Sequence, residues 1–127
     1  MLNFIDKQMD ILDVPYEFGE WEWDGESLVK YPYFVGEFPS PETIDTEDGH
    51  RERTLIISGF HRGKAYTLEE IRQRIEAHFD PIGGLRGETE DGSAIAVFYN
   101  GAHFPPTGEM ALKKIEIQLQ IQLWKGV

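Results

Sequence analysis

The chain has 127 residues, no cysteine and a formal net charge of −11, with 23 acidic and 12 basic side chains. This length fits a single domain over residues 1–127, and a hydrophobic content of 40% separates the chain from the disordered class. The composition excludes disulfide scaffolds, thiolate metal sites and a cysteine nucleophile. It also disfavours sequence-specific nucleic-acid binding, because an acidic surface repels phosphate, and no apolar run approaches the roughly 20 residues of a membrane span.

The first predicted element is a short amphipathic helix at the N-terminus. Leu2, Ile5, Met9 and Leu12 recur at helical spacing, and Pro15 ends the run.

Two strands are predicted next, over residues 16–23 and 28–37. Asp24-Gly25 between them is a typical hairpin turn. Pro32 has no N–H to donate to a ladder, so it marks the start of the second strand or an edge.

Residues 38–53 differ in composition from the segments on either side. They contain two prolines, one glycine and several acidic side chains, and Ile44 is their only large aliphatic residue. The segment is therefore predicted to form either a mobile loop or an extended hairpin arm. Its acidic run is similar to a calcium loop, but the twelfth position from Asp45 is Ile56 rather than glutamate, which favours a solvated turn.

A strand over residues 54–60, buried on both faces near its centre, and a second helix follow. Thr67 and Glu70 have the spacing of a capping box, so the helix is predicted to begin at Thr67. Its apolar stripe consists of Leu68, Ile71, Ile75 and Phe79, and residues 80–84 end it.

The last third of the chain reads as a hairpin, a loop and a long strand. Residues 85–89 and 93–99 flank the turn at Asp91-Gly92, and residues 100–108 form the loop. Residues 113–124 then form a long strand, in which aliphatic and polar side chains alternate strictly from Ile115 to Leu123. Trp124 lies on the polar, amide-rich side of that strand, where an aromatic residue either anchors an interface or caps the sheet.

The order of predicted elements is helix, three strands, helix, three strands. It predicts an α+β domain with a mostly antiparallel sheet, on one face of which the N-terminal helix and the central helix pack.

No set of residues has the spacing of a catalytic or metal site. The four histidines, His50, His61, His78 and His103, form no pair with the helical spacing of two metal ligands. No serine lies in a nucleophile elbow. The chain is therefore expected to be non-enzymatic, with no cofactor and no metal.

A charged segment offers a candidate contact between subunits instead. The run EDGHRER over residues 47–53 mixes both signs and is able to pair with a neighbouring copy, with charge complementarity setting the register. Together with the terminal tryptophan, the candidate interface residues are Glu47, Asp48, His50, Arg51, Arg53 and Trp124.

Several segments in succession resemble a known family. They are YPYFVGE at residues 31–37, the acidic loop, RERTLIISGF at 51–60 and the helix TLEEIRQRIEAHF at 67–79. Their motifs and order are similar to the tail-completion proteins of long-tailed phages, also called tail-terminator or head-tail joining proteins. The resemblance covers most of the chain in element order.

This resemblance implies a structural role in a phage or prophage. The protein would form a homo-oligomeric ring, often a hexamer, that ends growth of the tail and contacts the tail-tube protein and the head-tail connector proteins. It would lie in the virion at the head-tail junction, and in the host cytoplasm during assembly.

Two alternatives from other classes stay open. The first is a small acidic inhibitor or immunity-type module that covers a basic partner. It requires carboxylates along one face, whereas the acidic residues here are scattered among loops and strands. The second is a small α+β enzyme, which the lack of an acid-base or nucleophile set disfavours.

Overall fold

A computed structural model describes residues 1–19, 31–39, 44–45 and 50–124, with the backbone alone at residues 44, 45 and 50. The described elements, in chain order, are α1 Leu2–Ile11, β1 Tyr16–Phe18, β2 Tyr33–Glu37, β3 Ile44–Asp45, β4 His50–Arg62, α2 Ala65–His78, β5 Leu85–Glu88, β6 Ala94–His103 and β7 Leu112–Trp124.

The strands form one sheet in the order β1-β2-β4-β7-β6-β5, and the short strand β3 pairs with β4 outside this path. All described neighbours are antiparallel except β1 and β2, which run parallel. The predicted fold class, an α+β domain with a mostly antiparallel sheet and an N-terminal and a central helix, is confirmed.

The long C-terminal strand is the centre of the sheet. β7 pairs along its whole length with β4 on one side and from Glu116 to Trp124 with β6 on the other. Its four central aliphatic residues, Ile115, Ile117, Leu119 and Ile121, are completely buried. The alternation of the sequence therefore placed the aliphatic side of this strand correctly, because only one register buries all four residues together.

The core lies between this side of the sheet and the two helices. Ile5 and Met9 of α1 are fully buried in it, as are Leu68 and Ile75 of α2. The ring of buried Phe34 in β2 lies against Gly59 of the neighbouring strand β4. A Cβ added at Gly59 would come within 2.2 Å of that ring. A side chain at this position would displace that ring from its place in the core.

Helix α2 starts at Ala65, so the predicted start at Thr67 was wrong. The N-cap residue is Lys64, which makes no side-chain capping bond, and the amide of Thr67 donates to the Lys64 carbonyl at 3.2 Å. The chain turns out of β4 at Gly63, whose φ of +144° suits glycine. The helix begins directly after this turn, which places Thr67 inside its first turn and away from the cap.

Strand β4 begins at His50, although residues 50–53 were predicted to belong to the preceding segment. These residues pair with Ile121–Trp124 of β7, which extends far enough to satisfy their backbone groups. Ile44 and Asp45 pair in turn with Glu52 and Arg51. For the described part of residues 38–53, the hairpin arm is therefore the correct alternative.

The early strands differ from the predicted hairpin. β1 consists of Tyr16–Phe18 and is parallel to β2, so these two described segments are not the two arms of a simple hairpin. The predicted Asp24-Gly25 turn and the remainder of the 16–23 strand beyond Gly19 lie outside the described residues.

The predicted hairpin of β5 and β6 is confirmed, but β6 continues to His103 through a bulge between Tyr99 and Gly101. The loop predicted from Asn100 therefore begins after His103. In the hairpin turn, the carboxylate of Asp91 accepts hydrogen bonds from the Thr89 hydroxyl and the Ser93 amide, which hold its pKa at about 2.

The two helices are joined by side-chain contacts. Nε2 of His78 in α2 lies 2.8 Å from Oε1 of Gln8 in α1, and Arg74 donates to the Leu12 carbonyl at 2.8 Å. The ring of His78 also meets the edge of Phe79, with centroids 5.0 Å apart. Burial at this joint lowers the pKa of His78.

This lowered pKa predicts a pH dependence of stability. Below about pH 6.5 the unfolded chain takes up a proton at His78 that the folded chain resists, so stability falls as the pH drops toward the folded-state pKa. We expect the difference in melting temperature between pH 7 and pH 5.5 to be smaller in His78→Gln, which has no titrating ring, than in the unmodified protein. Equal pH dependence in the two proteins would contradict this expectation.

Candidate subunit interface

The sheet has a second face, here called the open face, which no helix covers in the described part of the chain. Alternation along the strands places on it the residues paired with the polar side of β7. Its members in the four central strands are Tyr33, Val35 and Glu37 of β2, Glu52, Thr54, Ile56, Ser58 and Phe60 of β4, Lys114, Glu116, Gln118, Gln120, Gln122 and Trp124 of β7, and Ala94, Ala96 and Phe98 of β6. Two of these residues, Ser58 and Ala96, are buried.

Uncharged amides form the middle of the open face. The Thr54 hydroxyl donates to Oε1 of Gln120 at 3.0 Å, and Nε2 of Gln122 lies 3.4 Å from Oε1 of Glu52. An amide group has two N–H donors and one carbonyl acceptor, so a single lateral contact leaves capacity for a further partner. Gln118 lies in the same row, opposite Ile56 in β4.

Apolar side chains of the neighbouring strands flank these amides. Val35, Ile56, Phe60 and Phe98 are half-buried, although no helix lies over them among the described residues. At Gly101, opposite Gln118, an added Cβ would meet no heavy atom within 4 Å. The open face therefore combines apolar area with hydrogen-bonding groups, as protein interfaces do.

One end of the open face is aromatic. The rings of Tyr33 and Phe60 stack with centroids 5.1 Å apart, and Tyr31 continues the row at 5.5 Å from Tyr33. Cations lie beside this row, with Lys114 Nζ 5.5 Å from the Phe60 ring and the Arg62 guanidinium 5.8 Å from the Tyr31 ring. Aromatic and cationic groups in contact are typical of the residues that dominate binding energy at interfaces.

The structure separates the predicted interface residues. Trp124 is half-buried on the open face, opposite His50 in β4, of which only the backbone is described. Arg51 and Arg53 pair with Leu123 and Ile121, which places both on the helix-covered face of the sheet.

Arg53 belongs to a local aromatic cluster on that other face. Its guanidinium lies 3.6 Å from the centroid of the Phe38 ring, and Phe38 is 5.3 Å from the ring of Phe18. Nε of Arg53 is buried and has no hydrogen-bond partner among the described residues. Arg53 and Trp124 therefore do not form one patch within a subunit, and Glu47 and Asp48 lie outside the described residues.

Sequence reasoning missed the aromatic end and the apolar part of the open face. The strand over residues 54–60 was predicted to be buried on both faces near its centre, where Leu55, Ile56 and Ile57 are consecutive aliphatic residues. In the structure Leu55 and Ile57 are fully buried, whereas Ile56 and Phe60 face the open side. The position of β4 beside β7 was the missing information, since register decides which alternate residues join the amides.

In residues 1–19, 31–39 and 50–124, no group of three or more histidine, aspartate and glutamate side chains is placed to hold a metal ion. No helix in the same residues has the length and apolar character needed to cross a membrane.

A scan against protein-family models found no match for the chain, and a search of curated proteins found none either.

Proposed function

We propose that this chain is a non-enzymatic structural component of a long-tailed phage or prophage, acting as a tail-completion protein at the head-tail junction. The observation that supports this most is the open face, an amide-rich surface with Trp124 on the strand at the centre of the sheet. The resemblance of the segments at residues 31–37, 51–60 and 67–79 to tail-completion proteins gives the proposal its biological setting.

The chemistry of the open face suits assembly from separate subunits. When two copies meet, the amide side chains give up hydrogen bonds to water and form hydrogen bonds to the partner. The net gain in free energy is small, so a single contact between two copies is weak. A closed ring, or a ring formed on a tail tube, adds several such contacts together. Copies would stay apart in the host cytoplasm until they meet the tail tube.

The charge of the chain suits a position at the junction. DNA passes from head to tail at this point, and a net charge of −11 per subunit limits adhesion of phosphate to the ring. The proposed partners are other copies of the chain, the tail-tube protein and the head-tail connector proteins.

The rival proposal, an acidic inhibitor, finds less support on this face. Glu52 and Glu116 are separated by the amide row, and Glu116 pairs with Lys114 at 3.3 Å. A surface that covers a basic partner requires carboxylates side by side, so the neutral amides favour contact with another uncharged surface.

The proposal predicts that the open face is required for joining heads to tails. A phage from which the gene for this protein is deleted would receive a plasmid copy that encodes Gln118→Lys. This change places a cation among the amides of Gln118, Gln120 and Gln122 in β7. We expect a large loss of infectious particles, because a buried ammonium without a partner opposes contact. The count of plaque-forming particles measures the effect.

Gln73→Lys is the matched control. Gln73 is exposed on α2, and a lysine there lies four residues after Glu69, a favourable helical pair. Both variants should melt like the unmodified protein, and only Gln118→Lys should lose function. Full infectivity with Gln118→Lys would contradict the role of the open face.

A further inference from the structure

A groove of about 480 Å³ lies where the sheet ends, beside the segment that connects β6 to β7. Apolar side chains of that segment line it, and two of them are unusually exposed. Phe104 is 46% exposed and Met110 is 94% exposed. The residues that matter for its chemistry are Phe104, Pro105, Pro106, Met110, Lys113 and Lys114.

The rim of this 104–110 groove is positive, although the chain as a whole is strongly negative. Glu109 is neutralised by Arg62 at 2.9 Å, and Lys114 is paired with Glu116. The ammonium of Lys113 contacts the carbonyl oxygen of Met110 at 3.3 Å, a neutral group. An apolar group accompanied by carboxylates therefore complements this groove best.

The chain itself presents such a group at the end of α1. Ile11 is 68% exposed there, and Asp10 and Asp13 on either side of it are both exposed. One cation lies beside them, because Arg74 donates to the Leu12 carbonyl at 2.8 Å, so two carboxylates face a single guanidinium. The more exposed Ile82 is a weaker match, since it has one neighbouring acid, Asp80, rather than two. Ile11 with Asp10 and Asp13 is called the α1 knob below.

We propose that the 104–110 groove of one copy receives the α1 knob of a second copy. Because groove and knob are different surfaces, the contact is heterologous, and such contacts generate rings when the rotation closes. The inference rests on the proposed function, because the proposed contact would join neighbouring copies in the ring. The groove borders the open face at Lys114, so one neighbour is able to engage both surfaces.

The absence of cysteine from the chain permits a direct test by disulfide trapping. Ile11→Cys and Met110→Cys would be prepared as two separate proteins, mixed in equal amounts at high concentration and oxidised. Both positions are exposed, so neither change removes a core contact. Because a disulfide requires Cα atoms within roughly 7 Å, only a specific contact enriches the link between positions 11 and 110.

We expect the linked 11–110 dimer, identified by mass spectrometry, to form in several-fold higher yield than a 73–110 dimer from Gln73→Cys and Met110→Cys. Adding Lys113→Glu to the groove protein should lower the yield several-fold. Adding Asp10→Lys to the knob protein should then restore it. Equal yields for the 11–110 and 73–110 links, or no recovery by the charge exchange, would overturn the proposal.

This test is separate from the test of function. Specific 11–110 linkage, together with normal virion assembly when the protein is absent, would support the contact and contradict the proposed function. Unspecific linkage, together with defective virion assembly when the protein is absent, would support the proposed function and contradict the contact.

Discussion

Leu119→Ala is expected to lower the free energy of unfolding by about 2–5 kcal/mol, the range measured for large-to-small changes in buried sites. Leu119 is completely buried in β7, between Leu55 of β4 and Tyr99 of β6, so truncation leaves a cavity in the middle of the sheet. Domains are typically stable by only about 5–15 kcal/mol, so the loss is a large fraction of the total.

Urea unfolding of Leu119→Ala and Gln118→Ala measures this effect with a control from the same strand. Gln118 is the adjacent residue and lies on the open face, where truncation removes no core contact. We expect a much lower midpoint for Leu119→Ala and a nearly unchanged midpoint for Gln118→Ala. Similar midpoints for the two variants would show that the aliphatic side of β7 is not the core.

The elements with a strong local period were predictable from the sequence. In β7 the aliphatic residues from Ile115 to Ile121 are buried together, whereas Leu123 near the end of the strand is half-buried. In α2 the stripe of Leu68, Ile71 and Ile75 is buried as well. The Asp91-Gly92 turn was predictable as well, because its side chains bond to the local backbone.

Structural features that depend on pairing with segments far away in the sequence were not predictable. Residues 50–53 are polar, and only their pairing with the end of β7 makes them a strand. The parallel pairing of β1 with β2 likewise depends on the path of the chain between them, which no local pattern encodes. The start of α2 was missed because the turn at Gly63, rather than a side-chain cap, determines where the helix begins.

Part of the candidate interface was predictable from the sequence, and part of it depended on the position of β4. Trp124 was placed on the polar side of its strand by alternation alone, and it lies on the open face. Arg51 and Arg53 were predicted to be interface residues because they belong to the mixed-charge run at residues 47–53, in a segment predicted to be a loop or a hairpin arm. Once β4 includes them, alternation sends both to the opposite face, where Arg53 contacts Phe38.

The most direct measurement of the proposed role is electron microscopy of particles made by a phage from which the gene for this protein is deleted. Our account predicts filled heads and tails that are not joined, or tails of abnormal length, and almost no infectious particles. A plasmid copy of the unmodified gene should restore normal virions, which excludes an effect on neighbouring genes. Joined virions with tails of normal length and an unchanged yield of infectious particles would contradict the account.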